Sequence, residues 1–169
     1  SDFRQKDILS GGQGAPLAPI YHQNIMQEIG LILPSCLVNI GGVSNITFWD
    51  NNKLLGFDTG PGNGLMDIYT QSKLGLPFDN NGEMASKGKY DLKIIEKFEN
   101  DIFFNTKYPK SLDKFHFIKF YNLVIKEKLS DCNSLATLLE LTIRSIKIAI
   151  DQLPQYPKSI LVVGGGQNN

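Results

Sequence analysis

The sequence lacks a net charge, because its 17 lysine and arginine residues equal its 17 aspartate and glutamate residues in number. Without an excess of positive charge there is no electrostatic basis for a nucleic acid or a membrane surface as partner. Long apolar runs are also missing: none approaches the roughly 18 residues of a membrane span, and the first residues contain no apolar signal segment. The sequence therefore predicts a soluble, cytoplasmic protein and leaves a small polar or anionic ligand open.

Cysteine is scarce, with only Cys36 and Cys132 in the chain. The two lie far apart and form no Cys-x-x-Cys pair, which argues against a zinc site and against a disulfide framework. We therefore expect a reducing compartment. With 41% hydrophobic and 20% charged residues, the composition is that of one or two packed domains and not of a disordered chain.

Glycine is absent between residues 89 and 163, whereas 13 of the 16 glycines lie between Gly11 and Gly88. Glycine permits positive φ angles and a close approach of the backbone to a ligand. The distribution predicts turns and ligand loops in the first half of the chain and mainly helix in the glycine-free stretch.

In the first half of the chain, the spacing of apolar residues changes from a helical to a strand-like pattern and back. Residues 17–29 predict a short helix that ends at Gly30, and a second helix should follow residue 63 and end at Gly75. Between them, three apolar and β-branched runs separated by turn residues predict a three-stranded antiparallel meander. These runs are residues 37–40, 45–49 and 53–57.

The second half predicts one long helix and one strand. Ser134 is the expected N-cap of a helix with a single apolar stripe, which Pro154 closes. Residues 160–163 then predict a buried strand that leads into three consecutive glycines. Because a helix normally follows such a strand and glycine loop, we expect a further element beyond Asn169.

Three segments contain candidate functional residues. In residues 39–45, the Gly41-Gly42 pair is either a phosphate-binding nest of backbone amides or an ordinary hairpin turn. In residues 58–63, Asp-Thr-Gly-Pro-Gly-Asn, Asp58 is either an ionised general base held beside a helix N-terminus or a cap of the loop and helix. In residues 162–169, the glycines form either a nucleotide loop or a structural turn.

Histidines and aromatic residues are weaker candidates. His22 and His116 have no acidic or cysteine partner at ligand spacing, so we expect each at the surface or in the core and not on a metal. Most of the other aromatic residues are expected to pack in the core and not to form a stacking platform. They are Trp49, Phe98, Phe103, Phe104, Phe115, Phe117 and Phe120.

Five segments together resemble the anhydro-N-acetylmuramic acid kinases in content and order. The most specific are Gly-Gln-Gly-Ala-Pro-Leu at residues 12–17 and Asp-Thr-Gly-Pro-Gly-Asn at residues 58–63. The resemblance spans almost the whole chain. The five segments are residues 3–17, 39–46, 56–63, 109–111 and 164–169.

The resemblance implies an α/β, actin-like (ribonuclease H-like) fold in which two domains close over ATP and a sugar. Such enzymes hydrolyse the 1,6-anhydro ring of anhydro-N-acetylmuramic acid and phosphorylate O6, with ATP and Mg²⁺, during peptidoglycan recycling. By the same resemblance, Asp58 is the catalytic base and the sugar cleft contains Arg4, Gln13 and Asn63. The ATP-binding residues are Gly41, Gly42 and Asn45 in the second phosphate loop and Gly164, Gly165 and Gly166 in the adenosine loop.

The chain departs from the family pattern in two places. Residues 112–115, Leu-Asp-Lys-Phe, replace Thr-Gly-Arg-Glu after Pro-Lys-Ser, and Lys114 cannot reproduce the bidentate fork of an arginine. The first phosphate loop, Gly-Thr-Ser…Asp-Gly, is missing. We therefore expect a fragment in which residues 1–35 supply a sugar-cleft loop and connecting helix, and residues 36–169 part of the second kinase domain.

Two alternatives to a sugar-kinase fragment stay open. The chain is then a non-catalytic remnant or binding module of the same fold, or part of another actin-like phosphohydrolase such as an exopolyphosphatase. The fragment alone is expected to be inactive. A homodimer is the assembly that we expect.

Overall fold

The protein is described here by a computed structural model that covers residues 18–108, 110–111 and 116–168. Within these ranges the chain forms an α/β fold with four strands and six α-helices. In chain order they are α1 (Pro19–Ile29), β1 (Ser35–Ile40), β2 (Val43–Trp49), β3 (Leu54–Pro61), α2 (Gly64–Tyr69), α3 (Leu92–Glu99), α4 (Ile102–Asn105), α5 (Ile118–Lys126), α6 (Asp131–Asp151) and β4 (Ser159–Val163).

The four strands form one mixed sheet in the order β3-β2-β1-β4. Strands β1, β2 and β3 pair antiparallel, as the turn residues between them predict, and β4 pairs parallel to β1. The prediction of a three-stranded antiparallel meander is therefore wrong for the sheet as a whole. A parallel neighbour has to be reached by a long crossover, and residues 64–158 supply it.

Strand β4 is less buried than its apolar sequence predicts. Its residues alternate between half-buried and exposed, with Ile160 45% and Val162 41% exposed. The prediction of a buried strand is wrong because β4 lies at the end of the sheet order and one of its faces stays open within the described ranges.

Helix α1 confirms the first predicted helix. Proline at its first position needs no hydrogen-bond partner for its nitrogen, and the helix ends at Gly30 in the left-handed conformation, with φ of 73°. The helix packs on the sheet through Met26 and through His22, whose Nδ1 lies 2.8 Å from Thr47 Oγ1. His22 is therefore a core residue, as expected.

Helix α2 begins directly after the glycine-rich segment and continues as a π-helical turn, Thr70–Leu74, before Gly75 ends it as predicted. Three-residue 3₁₀ turns follow at Asn80–Gly82 and Ala85–Lys87. The glycine-free second half is mainly helical, which confirms that prediction.

Helix α6 begins earlier than predicted. Its N-cap is Ser130, whose side chain accepts a hydrogen bond from the Asn133 amide at 3.3 Å, and Ser134 is buried inside the helix. The extra turn has support from outside the helix, because the Tyr69 hydroxyl donates to Asp131 Oδ1 at 2.7 Å. The Ser134 cap prediction is therefore wrong by one turn.

Two hydrophobic clusters form the core, and α6 contributes to both. One lies among the helices and contains Leu135, Leu138 and Leu141 of α6; the other lies on the sheet and contains Ala149. Packing is confirmed for five of the listed aromatic residues, whereas Trp49 is half-buried and Phe115 lies outside the described residues. The five are Phe98, Phe103, Phe104, Phe117 and Phe120. Within the described ranges, no helix is both long and apolar enough to cross a bilayer.

An ionic cluster around the buried Asp101 carboxylate joins α4 to the start of α5. The Asp101 carboxylate caps α4 by accepting from the Phe103 amide at 2.9 Å, and it also contacts His116 Nε2 at 2.9 Å and Lys119 Nζ. Burial raises the pKa of Asp101, but hydrogen bonds from Lys119, His116 and the Phe103 amide outweigh it and hold that pKa below its ordinary value. His116 thus has an acidic partner that its sequence neighbours do not reveal.

Candidate functional site

The carboxyl ends of the two parallel strands lie side by side, because Asn39 of β1 is paired with Val163 of β4. A glycine loop follows each strand: Gly41 comes after β1 and Gly164 comes after β4. In sheets with parallel strands, ligands bind outside the carboxyl ends of the strands. This edge of the sheet is therefore the first place to look for a site.

The loop after β4 lies directly on the end of β1. Gly164 has a φ of 89°, and a β-carbon there would lie 2.6 Å from the Ile40 carbonyl oxygen. A β-carbon at Gly166 would overlap the Ile40 side chain, whereas one at Gly165 would meet only Asn63 Nδ2, at an ordinary 3.5 Å. Packing thus accounts for Gly164 and Gly166 and leaves Gly165 as the position where a ligand can approach.

The loop after β1 is tied to the start of α2 by three backbone hydrogen bonds. The Gly42 carbonyl accepts from the amides of Gly62 and Gly64, both at 3.1 Å, and the Gly41 carbonyl accepts from the Asn63 amide at 2.7 Å. A β-carbon at Gly62 would overlap the Gly41 carbonyl oxygen. We refer to these three hydrogen bonds as the loop clamp.

The loop clamp changes how the glycine-rich segment is interpreted. Gly62 and Gly64 are glycines because the Gly41-Gly42 carbonyls come so close, and a β-carbon at Gly60 would lie 2.5 Å from Ser145 Cβ of α6. Gly42 is different, since a β-carbon there meets nothing within 4 Å. Packing therefore explains the density of glycines after Asp58, while the Gly42 position faces open space.

Asp58 lies inside strand β3 and is 8% exposed. Its Cα is paired with that of Asn45 on β2, and its amide donates to the Lys110 carbonyl at 3.0 Å. The strand continues beyond it to Pro61, so the predicted strand run of residues 53–57 ends too early. The register shifts between Ser44 and Asn45, and this bulge lets the ladder resume at Gly60.

Two hydroxyl groups fix the bulge next to Asp58. Ser44 Oγ lies 2.5 Å from Thr59 Oγ1 and donates within range of the carbonyl oxygens of Gly60 and Pro61, at 3.3 and 3.1 Å. Both side chains are buried. Sequence analysis did not single out either residue, although both lie within the two segments that it selected.

Lys110 supports Asp58 from the outer edge of β3. Its ammonium is buried, donates to the Phe103 carbonyl oxygen at 3.2 Å and to Gln152 Oε1 at 3.3 Å, and lies 4.5 Å from the centroid of the Phe103 ring. Burial lowers the pKa of Lys110. The anchored ammonium holds the segment whose carbonyl receives the Asp58 amide, which gives the lysine of the Pro-Lys-Ser motif a structural role.

The predicted site residues divide into four groups. Asp58 and Asn45 are neighbours on β3 and β2, and Gly41, Gly42, Gly164, Gly165 and Gly166 surround the ends of β1 and β4. Asn63 lies beside Gly165 and Gly166, on the β4 side of the loop clamp. Arg4 and Gln13 lie outside the described residues.

A cavity of about 410 Å³ opens beside Asn63 and Gly165. We call it the acidic cavity, because Asp67 and Asp79 are in its wall. Sequence analysis did not predict it, since α2, the segment after Gly75 and the loop after β4 are distant in sequence. Its lining residues are Asn63, Asp67, Phe78, residues 79–81, Gly165 and Asn168.

Comparisons with known proteins show which family the sequence resembles. A family model described as "Anhydro-N-acetylmuramic acid kinase" matches residues 1–169. Similar curated proteins with that name come from Ruegeria sp. (strain TM1040), 39% identical over 99% of this chain and 46% of the relative, and from Hydrogenovibrio crunogenus, 40% identical over 100% and 46%. A third, from Rhodopseudomonas palustris (strain ATCC BAA-98 / CGA009), is 41% identical over 99% and 45%.

The matches cover nearly all of this chain but only part of each relative. The chain spans about half the length of the curated relatives it matches. The match nevertheless includes every described segment of the candidate site. The chain therefore belongs to the anhydro-N-acetylmuramic acid kinase family.

Proposed function

We propose that this chain is part of an ATP-dependent kinase that opens the 1,6-anhydro ring of anhydro-N-acetylmuramic acid and phosphorylates the released O6, as a step of peptidoglycan recycling. The family match supports the proposal, and so does the α/β fold with its mixed sheet. We further propose that the complete fold is actin-like. The enzyme is proposed to act in the cytoplasm, without a nucleic-acid partner, and as a homodimer.

The observation that carries the proposal is the convergence of three elements at one edge of the sheet. The Gly41-Gly42 loop, the Asp58-Asn45 pair and the glycines after β4 come from different parts of the sequence, yet pairing of β1 with both β2 and β4 brings them together. A kinase of this kind needs a phosphate-binding loop, a base and a nucleotide-binding loop within the length of one nucleotide and one sugar.

In the proposed reaction Asp58 acts as general base. Its carboxylate takes a proton from a water molecule, the water oxygen forms a bond to the anomeric carbon, and the bond from that carbon to O6 breaks. O6 then accepts the terminal phosphoryl group of ATP, and ADP leaves. Backbone amides of Gly41 and Gly42, with Asn45 beside them, are proposed to hold the phosphates.

The remaining proposed contacts concern the sugar and the metal. Arg4, Gln13 and Asn63 are proposed to contact the substrate. Phosphoryl transfer uses Mg²⁺ to neutralise phosphate charge. Within the described ranges, no group of three or more His, Cys, Asp or Glu side chains could hold a metal ion, so we assign Mg²⁺ no ligand among these residues.

Sugar-dependent release of ADP tests the proposed function. The protein to use is a full-length kinase, here called the assembled kinase, in which residues 1–169 replace the matching segment of the Ruegeria relative. We expect ADP release that requires both ATP and anhydro-N-acetylmuramic acid. A folded assembled kinase that binds both but releases no ADP would indicate a binding module, and release of phosphate from polyphosphate would indicate an exopolyphosphatase.

Valine substitutions at Gly42 and Gly62 should distinguish the role of the phosphate loop in binding ATP from the role of the loop clamp in stability. Gly42→Val adds a side chain in open space, so we expect unchanged unfolding but a raised KM for ATP. Gly62→Val would overlap the Gly41 carbonyl oxygen, and overpacking of this kind costs about 1–3 kcal/mol. Urea unfolding and ATP titration of the assembled kinase measure both effects. An unchanged KM in Gly42→Val would leave Gly41-Gly42 as a plain hairpin turn.

A further inference from the structure

Residues 108 and 110 contact Asp58 and its neighbour Phe57 from outside the sheet. β3 lies at the end of the sheet order, so within the described ranges no further strand pairs with its outer edge. There the Lys110 carbonyl oxygen accepts a hydrogen bond from the Asp58 amide at 3.0 Å, and the Tyr108 ring stacks on the Phe57 ring, with centroids 5.1 Å apart. The position of the Asp58 backbone therefore depends on where residues 108 and 110 are fixed.

The side chain of Lys110 fixes this segment to helix α4. Its ammonium donates to the carbonyl oxygen of Phe103, at the carboxyl end of α4, where a cation is favourable. It also donates to Gln152 Oε1, and Gln152 Nε2 donates in turn to the Phe104 carbonyl oxygen at 2.6 Å. We call the two hydrogen bonds of the Lys110 ammonium the lysine anchor. They join the segment to α4 directly and through the residue that follows α6.

A lysine at this position is not explained by packing. Lys110 is only 5% exposed, and burial lowers its pKa because the charged form loses its water. A methionine of similar length would fill the same space without burying a charge. The ammonium adds directed N–H donors, which fix the direction of the side chain and with it the backbone of residue 110.

Residues further along the chain return to the other end of α4. His116 Nε2 lies 2.9 Å from Asp101 Oδ1, and Asp101 is the N-cap of α4. Residues 110 and 116 are therefore both attached to one helix of four residues. Phe103 and Phe104 of this helix are part of the buried helical cluster, so α4 is itself held in place by the core.

We propose that Lys110 is a positioning residue for the base: the lysine anchor fixes the Lys110 carbonyl, and this carbonyl fixes the Asp58 backbone where the carboxylate reaches the attacking water. The inference rests on the proposed function for the role of Asp58 as base. Proton transfer depends steeply on geometry, and a displacement of about 1 Å can cost about 10²-fold in rate. In this role Lys110 contacts no reacting atom and transfers no proton.

Kinetics of Lys110→Met in the assembled kinase test this role. Methionine keeps the length of the side chain and removes the donors, so we expect kcat to fall roughly tenfold to 10²-fold with an unchanged KM for ATP. Lys110→Arg keeps a charged donor and should recover part of the loss. Lys126→Met removes an exposed ammonium on α5 and should leave kcat unchanged. Gln152→Leu, which removes only one acceptor of the anchor, should show a smaller loss and serves if Lys110→Met does not fold.

A double-mutant cycle with Asp58→Asn distinguishes positioning of the base from a general effect on the fold. If Lys110 acts through the Asp58 carboxylate, Lys110→Met should cost nothing further once that carboxylate is gone. The double variant should then turn over as slowly as Asp58→Asn alone. Equal fold losses in both backgrounds would mean that Lys110 only stabilises the fold, and would overturn the proposal. An unchanged kcat in Lys110→Met would overturn it as well.

Hydrogen exchange gives a readout that needs no enzymatic activity. Followed by mass spectrometry of peptides from β3, the amide of Asp58 should exchange roughly tenfold faster in Lys110→Met, while the amides of β1 keep the parent rate. Faster exchange in an assembled kinase without sugar-dependent ADP release would support the lysine anchor and refute the proposed function. An active kinase in which Lys110→Met leaves this exchange at the parent rate would refute the anchor and support the proposed function.

Discussion

Replacing Asp58 with asparagine is expected to lower turnover of anhydro-N-acetylmuramic acid by the assembled kinase about 10²–10⁴-fold, the usual contribution of a general base. Asparagine keeps the size of the side chain and removes the proton acceptor. The backbone hydrogen bond from the residue 58 amide to the Lys110 carbonyl involves no side-chain atom of Asp58, so the substitution leaves it in place. Steady-state kinetics with a coupled ADP assay measures the loss, which should fall on kcat and not on the KM for ATP.

The matched control for this variant is Asp151→Asn. That carboxylate lies at the end of α6, pairs with Lys147 at 2.6 Å and is half-exposed, so its loss should leave turnover unchanged. A turnover of Asp58→Asn equal to that of the parent would show that Asp58 is not the base. A loss of turnover accompanied by a lower unfolding midpoint would instead assign Asp58 a structural role.

Phe98→Ala is expected to have the largest effect on stability. The ring is fully buried at the centre of the helical cluster, with the centroids of Phe104, Phe117 and Phe120 4.9, 5.2 and 5.0 Å away. Truncating such a residue costs about 3–5 kcal/mol, because apolar contacts are lost and a cavity remains. Since a whole domain is stable by only about 5–15 kcal/mol, urea unfolding of the assembled kinase should show a much lower midpoint.

Phe78→Ala provides the comparison for Phe98→Ala. The same truncation at an exposed ring should change the free energy of unfolding by no more than about 0.5 kcal/mol. Equal midpoints for the two variants would show that the aromatic cluster does not hold the helices together.

The elements that sequence analysis predicted well are those defined by neighbouring residues. The β1-β2-β3 meander depends on short turns, and the end of α1 depends on Gly30 alone. The pairing of β4 with β1 joins Ser159 to Ser35, and nothing in the local pattern of residues 159–163 names its partner. The exposure of β4 depends on what covers it, which a strand sequence does not contain.

The start of α6, like the pairing of β4, depends on contacts with residues that are distant in sequence. Both Ser130 and Ser134 are good N-caps, and the apolar stripe begins at Leu135. The structure begins at the earlier serine because contacts from elsewhere stabilise the first turn: Tyr69 donates to Asp131, and the Lys89 amide donates to Asn133 Oδ1 at 2.9 Å. Such tertiary hydrogen bonds cannot be predicted from the helix sequence.

For the candidate site, sequence analysis located the segments more successfully than it assigned the roles of their residues. The glycines after Asp58 indicated a ligand loop, whereas the structure explains Gly62 and Gly64 by the loop clamp. Asp67 and Phe78 look like ordinary residues of a helix and a loop, and only folding brings them to one cavity. The roles of Asp58 and the other selected residues stay predictions, and Asp58→Asn and Gly42→Val test two of them.

The loop clamp has a mechanical consequence for the nucleotide. Three backbone hydrogen bonds join the Gly41-Gly42 loop to the segment that leads into α2. The proposed ATP contacts, the Gly41-Gly42 loop for the phosphates and the glycines after β4 for the nucleoside, are thereby joined through Asn63, whose side chain lies beside Gly165. A nucleotide would meet both loops already in place, so little ordering of the protein has to accompany its binding.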